Sequence, residues 1–379
     1  MIYFITEYFY PFSDAGGPIR SIEQILEVLN QNSSIKLVTS ANNHQGNNLP
    51  INTKVNRFVN ETITETPIFY SSNSIIGILK LVQLYIKNRQ YTFYINGMFI
   101  PRLSILPALI CKNVIISPRG MLINQTLGSK SFFKKFYLFI YKLVVSKNAI
   151  WHATDSAEVL DIKRFFGERS NVKLITNIPV KPLDINLKRE KQTESLKLVY
   201  FGLIVQKKGL LSLIQTLKSL SLPISLHIYG SIKDRSYWEA CLQEINFNNS
   251  QATFNYLGHA NPSESQSILA KYDVFVLLTK GENFGHSIYE ALSVGTPVII
   301  TNKTPWQFNE SVNPPGWTIN CDNHGFDTDA FKQTLTNLYH MDNDAYALSS
   351  KAAHKYAVDF YNSHDFKKEY TDLFNSFDN

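Results

Sequence analysis

Cysteine is scarce in this chain of 379 residues: Cys111, Cys241 and Cys321 lie far apart and none belongs to a C-x-x-C pair. That excludes a disulfide scaffold and a cysteine-rich zinc site, and a reducing compartment is expected. Long apolar runs are missing as well. The best, Phe136 to Val145, is broken by Lys142 and falls far short of the roughly 20 residues of a membrane span. The N-terminal MIYFITEYFYPF has no basic leader and carries Glu7 inside its apolar stretch, so it reads as a first strand rather than a signal peptide. No G-x-G-x-x-G follows that strand, which argues against a dinucleotide dehydrogenase, and no G-x-x-x-x-G-K-[ST] exists, which excludes a P-loop enzyme. None of the 9 histidines falls in H-E-x-x-H or another metal-ligand spacing.

The widest gap is electrostatic. Between Glu65 and Asp155 there is no carboxylate, while the same window holds 11 Lys and Arg. Residues 1–180 contain 19 Lys and Arg against 10 Asp and Glu; residues 181–379 contain 18 against 21. The net charge of +6 therefore conceals a basic first half, which is expected to face something anionic.

Short apolar runs alternate with helical ones. Strands are expected at Ile2–Ile5, Lys36–Thr39, Thr92–Asn96, Val114–Ser117 and Ala149–His152, with helices such as Ile19–Asn30 and Ser74–Asn88 between them. The alternation restarts after residue 195 with Lys197–Phe201, Ser225–Tyr229, Thr253–Leu257, Val274–Leu278 and Val298–Thr301, again with intervening helices. Such a pattern predicts βαβ units and parallel sheets covered on both faces. The polar stretch 181–195 reads as a linker. The expected organisation is a first α/β domain over 1–180, a second over 196–358, and a C-terminal helix within 359–379 that crosses back to the first domain. A ligand cleft is expected at the carboxyl ends of the strands.

Most of the chemistry sits in Tyr272–Asn302. Val274–Leu278 is a buried strand, TKGENFG a loop, His286–Val294 a helix, Gly295 its stop and VIIT the next parallel strand. The loop presents Glu282 and the amides of Phe284, Gly285 and His286 at a helix N-terminus, a place that favours an anion such as phosphate. Glu290 follows eight residues later. At 1.5 Å rise per residue the two carboxylates stand on the order of 10 Å apart, too far to share a proton or a metal and suited to the two ends of an extended ligand. A solvated helix carboxylate would account for either Glu taken singly; the combination favours a site. A second element is LVYFGLIVQKKGLLSLI, in which Gly202 follows a strand and Lys207-Lys208-Gly209 opens a helix, so a lysine can meet phosphate. A third is Gly16-Gly17-Pro18, where paired glycines admit close backbone approach.

In this order the elements resemble the family 4 glycosyltransferases, retaining enzymes of the GT-B fold, over nearly the whole chain. ENFGHSIYE matches that family's Glu-x7-Glu motif and EALSVGTPVI its continuation. GLIVQKKG looks like its phosphate loop and EYFYPFSDAGGP like its N-terminal glycine loop. ISPRGML and HATDSAE resemble first-domain segments of polysaccharide-building members.

The resemblance implies two Rossmann-like parallel-sheet domains facing a central cleft. Glu282, Asn283 and the Phe284-Gly285-His286 segment would hold donor sugar and phosphate, Glu290 the ribose, Gly202, Lys207 and Lys208 the diphosphate, and Gly16 and Gly17 the donor side of the cleft. Arg119 would act catalytically with Glu282, without a metal or other cofactor. Two departures stand out: Leu203 occupies the place where many members carry Arg, and Ser117-Pro118-Arg119 the place where many carry His. Arg119, with Lys207 or Lys208, is expected to supply the missing charge.

Other signals are weaker. Asp342-Asn343-Asp344 has the form of a metal-binding D-x-D but sits at a helix entry, where a cap is expected. His227 in an apolar strand is expected to be a core residue. Ser129–Lys147 mixes lysines (Lys130, Lys134, Lys135, Lys142, Lys147) with aromatics and no acid, which suits an anionic membrane surface, or a domain helix with solvated lysines. Nucleic acid is not expected as a partner, since no zinc-finger, RNP1 or arginine-rich signature occurs.

The reading is a metal-independent glycosyltransferase moving a sugar from a UDP- or GDP-linked donor to a lipid-linked or growing bacterial surface polysaccharide, of O-antigen or capsule type. It would be cytoplasmic, with peripheral attachment to the inner face of the plasma membrane. The alternatives are a GT-B sugar-nucleotide epimerase, which would form product without acceptor, and a binding protein that has lost turnover.

Overall fold

A computed structural model describes residues 1–11, 17–29, 34–42, 49, 54–60, 66–122, 131–145, 149–184, 190–191, 195–247, 249–308 and 312–377, the side chains of 18, 131–133 and 135 excepted. The chain forms two compact units, one made of Met1–Ile178 with Asp365–Asn379, the other of Pro179–His364. The stretch 181–195 lies in the second unit. Its Lys191 is buried there and donates to the carbonyls of Leu338, Tyr339 and Met341 at 2.5–2.9 Å, closing the end of a helix.

The first unit is an eight-stranded sheet in the order β3-β4-β2-β1-β5-β6-β7-β8. In chain order β1 to β8 are Ile2–Thr6, Ile35–Ser40, Phe58–Asn60, Pro67–Ser71, Thr92–Asn96, Asn113–Ser117, Ile150–Ala153 and Asn171–Leu174. Only β3 runs antiparallel among these pairings. β1 is buried at every position, as a central parallel strand of aromatic and β-branched residues must be. Helices α1 (Gly17–Leu29), α2 (Ile75–Asn88), α3 (Pro101–Ile110), α4 (Ser131–Val144) and α5 (Ser156–Phe166) make the crossovers. Strand order runs outward from β1 in one direction and from β5 in the other. Right-handed crossovers therefore put α1 on one face and α2, α3, α4 and α5 on the other.

The second unit holds six parallel strands in the order β11-β10-β9-β12-β13-β14. They are β9 (Leu196–Phe201), β10 (Ile224–Tyr229), β11 (Thr253–Tyr256), β12 (Val274–Leu277), β13 (Val298–Thr301) and β14 (Gly316–Ile319). Its helices are α6 (Leu210–Lys218), α7 (Arg235–Asn246), α8 (Ser265–Leu269), α9 (His286–Ser293), α10 (Thr328–His340) and α11 (Asn343–Asn362). The last helix, α12 (Phe366–Phe374), belongs to the first unit, where it packs on α1 and buries Phe366, Tyr370, Leu373 and Phe374.

Both sheets reverse direction once, between β1 and β5 and between β9 and β12. At such a reversal the loops leaving neighbouring strands part in opposite directions and leave a crevice, where open α/β sheets bind their ligands.

Candidate functional site

The crevice of the second unit is bounded by the loop after β9 and the loop after β12. The first passes Gly202 and makes a single tight turn at Gln206–Lys208 before α6. Gly209 ends that turn at φ 75°, and a Cβ there would stand 2.2 Å from the Leu278 carbonyl oxygen, so only glycine lets this loop rest on the end of β12. The two loops are also bonded. The Lys280 amide donates to the Lys207 carbonyl at 2.9 Å and the Thr279 hydroxyl lies 3.3 Å from the same oxygen.

This contact brings Lys208 Nζ to 2.5 Å from Glu282 Oε1, with both side chains mostly buried. The Thr279 hydroxyl lies 3.0 Å from that carboxylate oxygen, and the Glu282 amide donates to the Lys303 carbonyl at 2.9 Å. Glu282 is thus fixed through both backbone and side chain. Burial lowers the pKa of neighbouring Lys207, Glu282 partly restores it, and the Lys208 charge lowers it again. Two lysines and one carboxylate leave the crevice electropositive, as an anion site requires.

Past Glu282 the loop enters α9 through Gly285, left-handed at φ 77° and without a side chain to cap the first turn. The Phe284 carbonyl accepts from Trp306 Nε1 at 2.5 Å, and the Phe284 ring lies 5.0 Å from Trp306 and 4.8 Å from His286. This aromatic cluster anchors the loop whose amides open α9. Asn283 precedes it in the same loop. Glu290 is only 5% exposed, among Ile288, Tyr289, Ala291 and Leu292 of α9, so it is no solvated helix carboxylate. Lys207, Lys208, Glu282, Asn283, Phe284, Gly285 and His286 therefore lie on two joined loops and the helix start beyond them, with Glu290 farther along α9. Thr279 and Trp306 escaped the sequence reading. Thr279 has only its place three residues before Glu282 as a signal, and Trp306 lies beyond the next strand.

The remaining site residues belong to the first unit. Gly16 lies outside the described residues; Gly17 is exposed at the start of α1. Arg119 follows β6 at φ 55°, a left-handed conformation uncommon for a side chain of this size. Its Nε donates to Asn96 Oδ1 at 2.6 Å, one Nη to Asn177 Oδ1, and the other to the Tyr94 hydroxyl at 2.6 Å. Tyr94 and His152 Nδ1 are 2.8 Å apart, and His152 Nε2 is 2.8 Å from the Ile175 carbonyl. A carbonyl only accepts, so Nε2 carries the proton and Nδ1 accepts from Tyr94. Burial, then the Arg119 charge, pushes His152 down to about 3 against the pull of that carbonyl. The next residue, Gly120, donates its amide to buried Glu158 at 2.7 Å, so the Arg119 turn is held on both sides. Tyr370 of α12 stands edge-on to the His152 ring at 5.5 Å. Arg119 is embedded in a buried network, which no short motif displays.

Asp342 caps α11 by accepting from the Ala345 amide at 2.7 Å, and His227 pairs with the Tyr272 hydroxyl at 2.8 Å. Among the described residues no group of three or more His, Cys, Asp and Glu side chains could hold a metal ion. No described helix is long and apolar enough to cross a membrane. Of the lysines in Ser129–Lys147, Lys130 and Lys147 lie outside the described residues, as does the side chain of Lys135. Lys142 is exposed, and Lys134 lies 5.4 Å over the Phe99 ring.

No curated protein matches the chain. Among solved structures, HepE of Anabaena in complex with UDP and glucose is similar with a TM-score of 0.74 and 14% identity over 99% of both chains. Sucrose-phosphate synthase of Thermosynechococcus elongatus gives 0.73 and 16%, over 99% of this chain and 98% of that one. WaaG, a glycosyltransferase involved in lipopolysaccharide biosynthesis, gives 0.64 and 13% over 99% of both. These likenesses establish the GT-B fold. The model of the family described as glycosyl transferases group 1 matches residues 184–355, which include every site residue of the second unit. Residues 184–355 thus match the glycosyl transferases group 1 model, and the chain that carries them has the GT-B fold.

Proposed function

We propose that the protein is a retaining glycosyltransferase that takes a sugar from a nucleoside diphosphate donor, UDP- or GDP-linked, and needs no metal. The observation that carries this is the Lys208–Glu282 pair, held between two joined loops at the sheet reversal of a glycosyl transferase group 1 segment. Lys207, Lys208 and the amides opening α9 supply fixed positive charge where a diphosphate would leave. Glu282 accepts from sugar hydroxyls and Glu290 from the ribose. In the transfer the bond between the anomeric carbon and the phosphate oxygen breaks, and its electron pair leaves with the nucleoside diphosphate. The acceptor oxygen bonds to that carbon from the same face, and its proton passes to the departing phosphate. In this reading Arg119 takes part in turnover, and Gly16 and Gly17 take part in donor binding.

The acceptor is a lipid-linked or growing surface glycan, of O-antigen or capsule type, used by a cytoplasmic enzyme at the inner face of a membrane. HepE with UDP-glucose and WaaG in lipopolysaccharide biosynthesis support this direction.

The test is a thermal-shift panel of UDP- and GDP-sugars, with and without chelator, on the wild type and Glu290→Ala. A donor at 100 times its dissociation constant stabilises the fold by about 2.7 kcal/mol. One donor class should shift the wild type and not the variant, with chelator indifferent. A chain that no donor shifts is not this transferase. Product formed from donor without acceptor would instead make it an epimerase.

A further inference from the structure

The second helix of the first unit is apolar on the wrong side. Toward the sheet α2 buries Gly77, Leu81 and Tyr85, a four-residue spacing that already supplies its whole inward edge. Yet Ile75, Ile76 and Leu79 are 78%, 65% and 62% exposed, and Ile78 and Ile86 are exposed as well. One exposed leucine is ordinary; a run of aliphatic residues over the outer side of one helix is not.

The feature continues across the layer. α2 touches α3 and α3 touches α4, all on one face of the sheet, and there Leu109, Phe136, Phe139 and Leu143 are exposed too. The polar residues between them are of one sign. Lys80, Lys87, Arg89, Lys112 and Lys142 are exposed on or beside these helices, inside the window from Glu65 to Asp155 that has no carboxylate.

We infer that the outer surface of the α2–α3–α4 layer docks on an anionic lipid bilayer, with Ile75, Ile76 and Leu79 of α2 entering the acyl boundary and the lysines meeting the headgroups. Charge selects this occupant. Protein interfaces are depleted of lysine at their centres, whereas lysine stems lie along apolar surface and carry their ammonium groups to anionic headgroups. A second copy of the same face would set lysines against lysines. The face differs from the one the sequence suggested, because it centres on α2 rather than on the α4 lysines. It bears on where the proposed transferase meets a lipid-linked acceptor, but it does not depend on the donor reading.

Flotation of the full chain with vesicles of phosphatidylglycerol and phosphatidylcholine, against phosphatidylcholine alone, tests this at 0.15 M salt (about physiological). The wild type should bind the anionic vesicles. The triple variant Ile75→Gln, Ile76→Gln, Leu79→Gln should bind at least about tenfold more weakly. Its melting temperature and donor-induced shift should stay as in the wild type, because the three side chains touch solvent and not the core. Lys80→Gln with Lys87→Gln should weaken binding chiefly at low salt. A triple variant that binds as well as the wild type overturns the inference, as does a wild type that ignores anionic vesicles. So does light scattering that finds a wild-type dimer and a monomeric triple variant, which would make the face a self-contact. A failed donor panel with vesicle binding intact would overturn only the transferase reading.

Discussion

The two units share a sheet reversal and surround the cations near it differently. In the first unit Arg119, which follows β6 one strand from the reversal, donates to Asn96, Asn177 and Tyr94, so the chain itself satisfies its cation. At the β9–β12 end of the second, Lys208 pairs with Glu282 beside Lys207, and the same loop runs on into a helix start without a side-chain cap. A cation enclosed by its own chain organises structure; cations in excess of their partners invite a ligand. The contrast explains why the donor chemistry is assigned to the second unit although the first is richer in positive charge. Bulk charge marks a face, whereas a site needs a fixed charge with a short list of partners.

Substitution can break this contrast, and the largest effect should come from the loop contact itself. Gly209→Val places a Cβ against the Leu278 carbonyl at a positive φ. It should cost about 3 kcal/mol or more in urea unfolding and abolish the donor-induced shift. Lys208→Met should lower turnover about 100-fold and weaken donor binding, with the first unit's stability unchanged. Arg119→Ala should instead cost about 2 kcal/mol by stranding buried partners, and reduce turnover while donor binding persists. Intact turnover in that variant would remove Arg119 from the mechanism.

A pH titration sharpens the first-unit half. His152 in the folded chain titrates at about 3, against 6.5 for the unfolded residue. Between those values the unfolded chain takes up a proton that the folded chain refuses. Its contribution is therefore complete above 6.5 and declines as pH falls, by up to about 1.4 kcal/mol per pH unit. His152→Gln should flatten that part of the stability profile. The smallest effect belongs to Asp342→Ala, which removes the α11 cap. It should cost about 1 kcal/mol and leave donor binding untouched with or without divalent metal.

The second unit was the more legible half in the sequence. β9, β10, β12, β13 and α9 stand within a residue or so of their expected positions, because each is a short apolar run between glycine or proline signals. Edge strands were not legible: β3 and β8 are short and largely unburied, so they carry no apolar alternation to detect. β14 begins with Gly316, which masks it as a turn. The Glu282 loop was visible as a motif, but its pairing with Lys208, 74 positions away, depends on which strands become neighbours. The Arg119 network draws on four separate strand ends and loops, and no local pattern encodes that. The exposed aliphatic side of α2 was hidden for the opposite reason. Its residues look like core, and only the fold shows which side was left out.

The placement of α12 sets an order of events at the ribosome. Synthesis completes the second unit's sequence before Phe366–Phe374 emerges, and that segment supplies Tyr370 beside His152 and Phe374 beside Phe4 and Tyr94. The half made first is thus finished last, after the half that follows it can already have folded. A chain ending at residue 364 would contain the whole of the second unit, while its first unit would still lack part of its core.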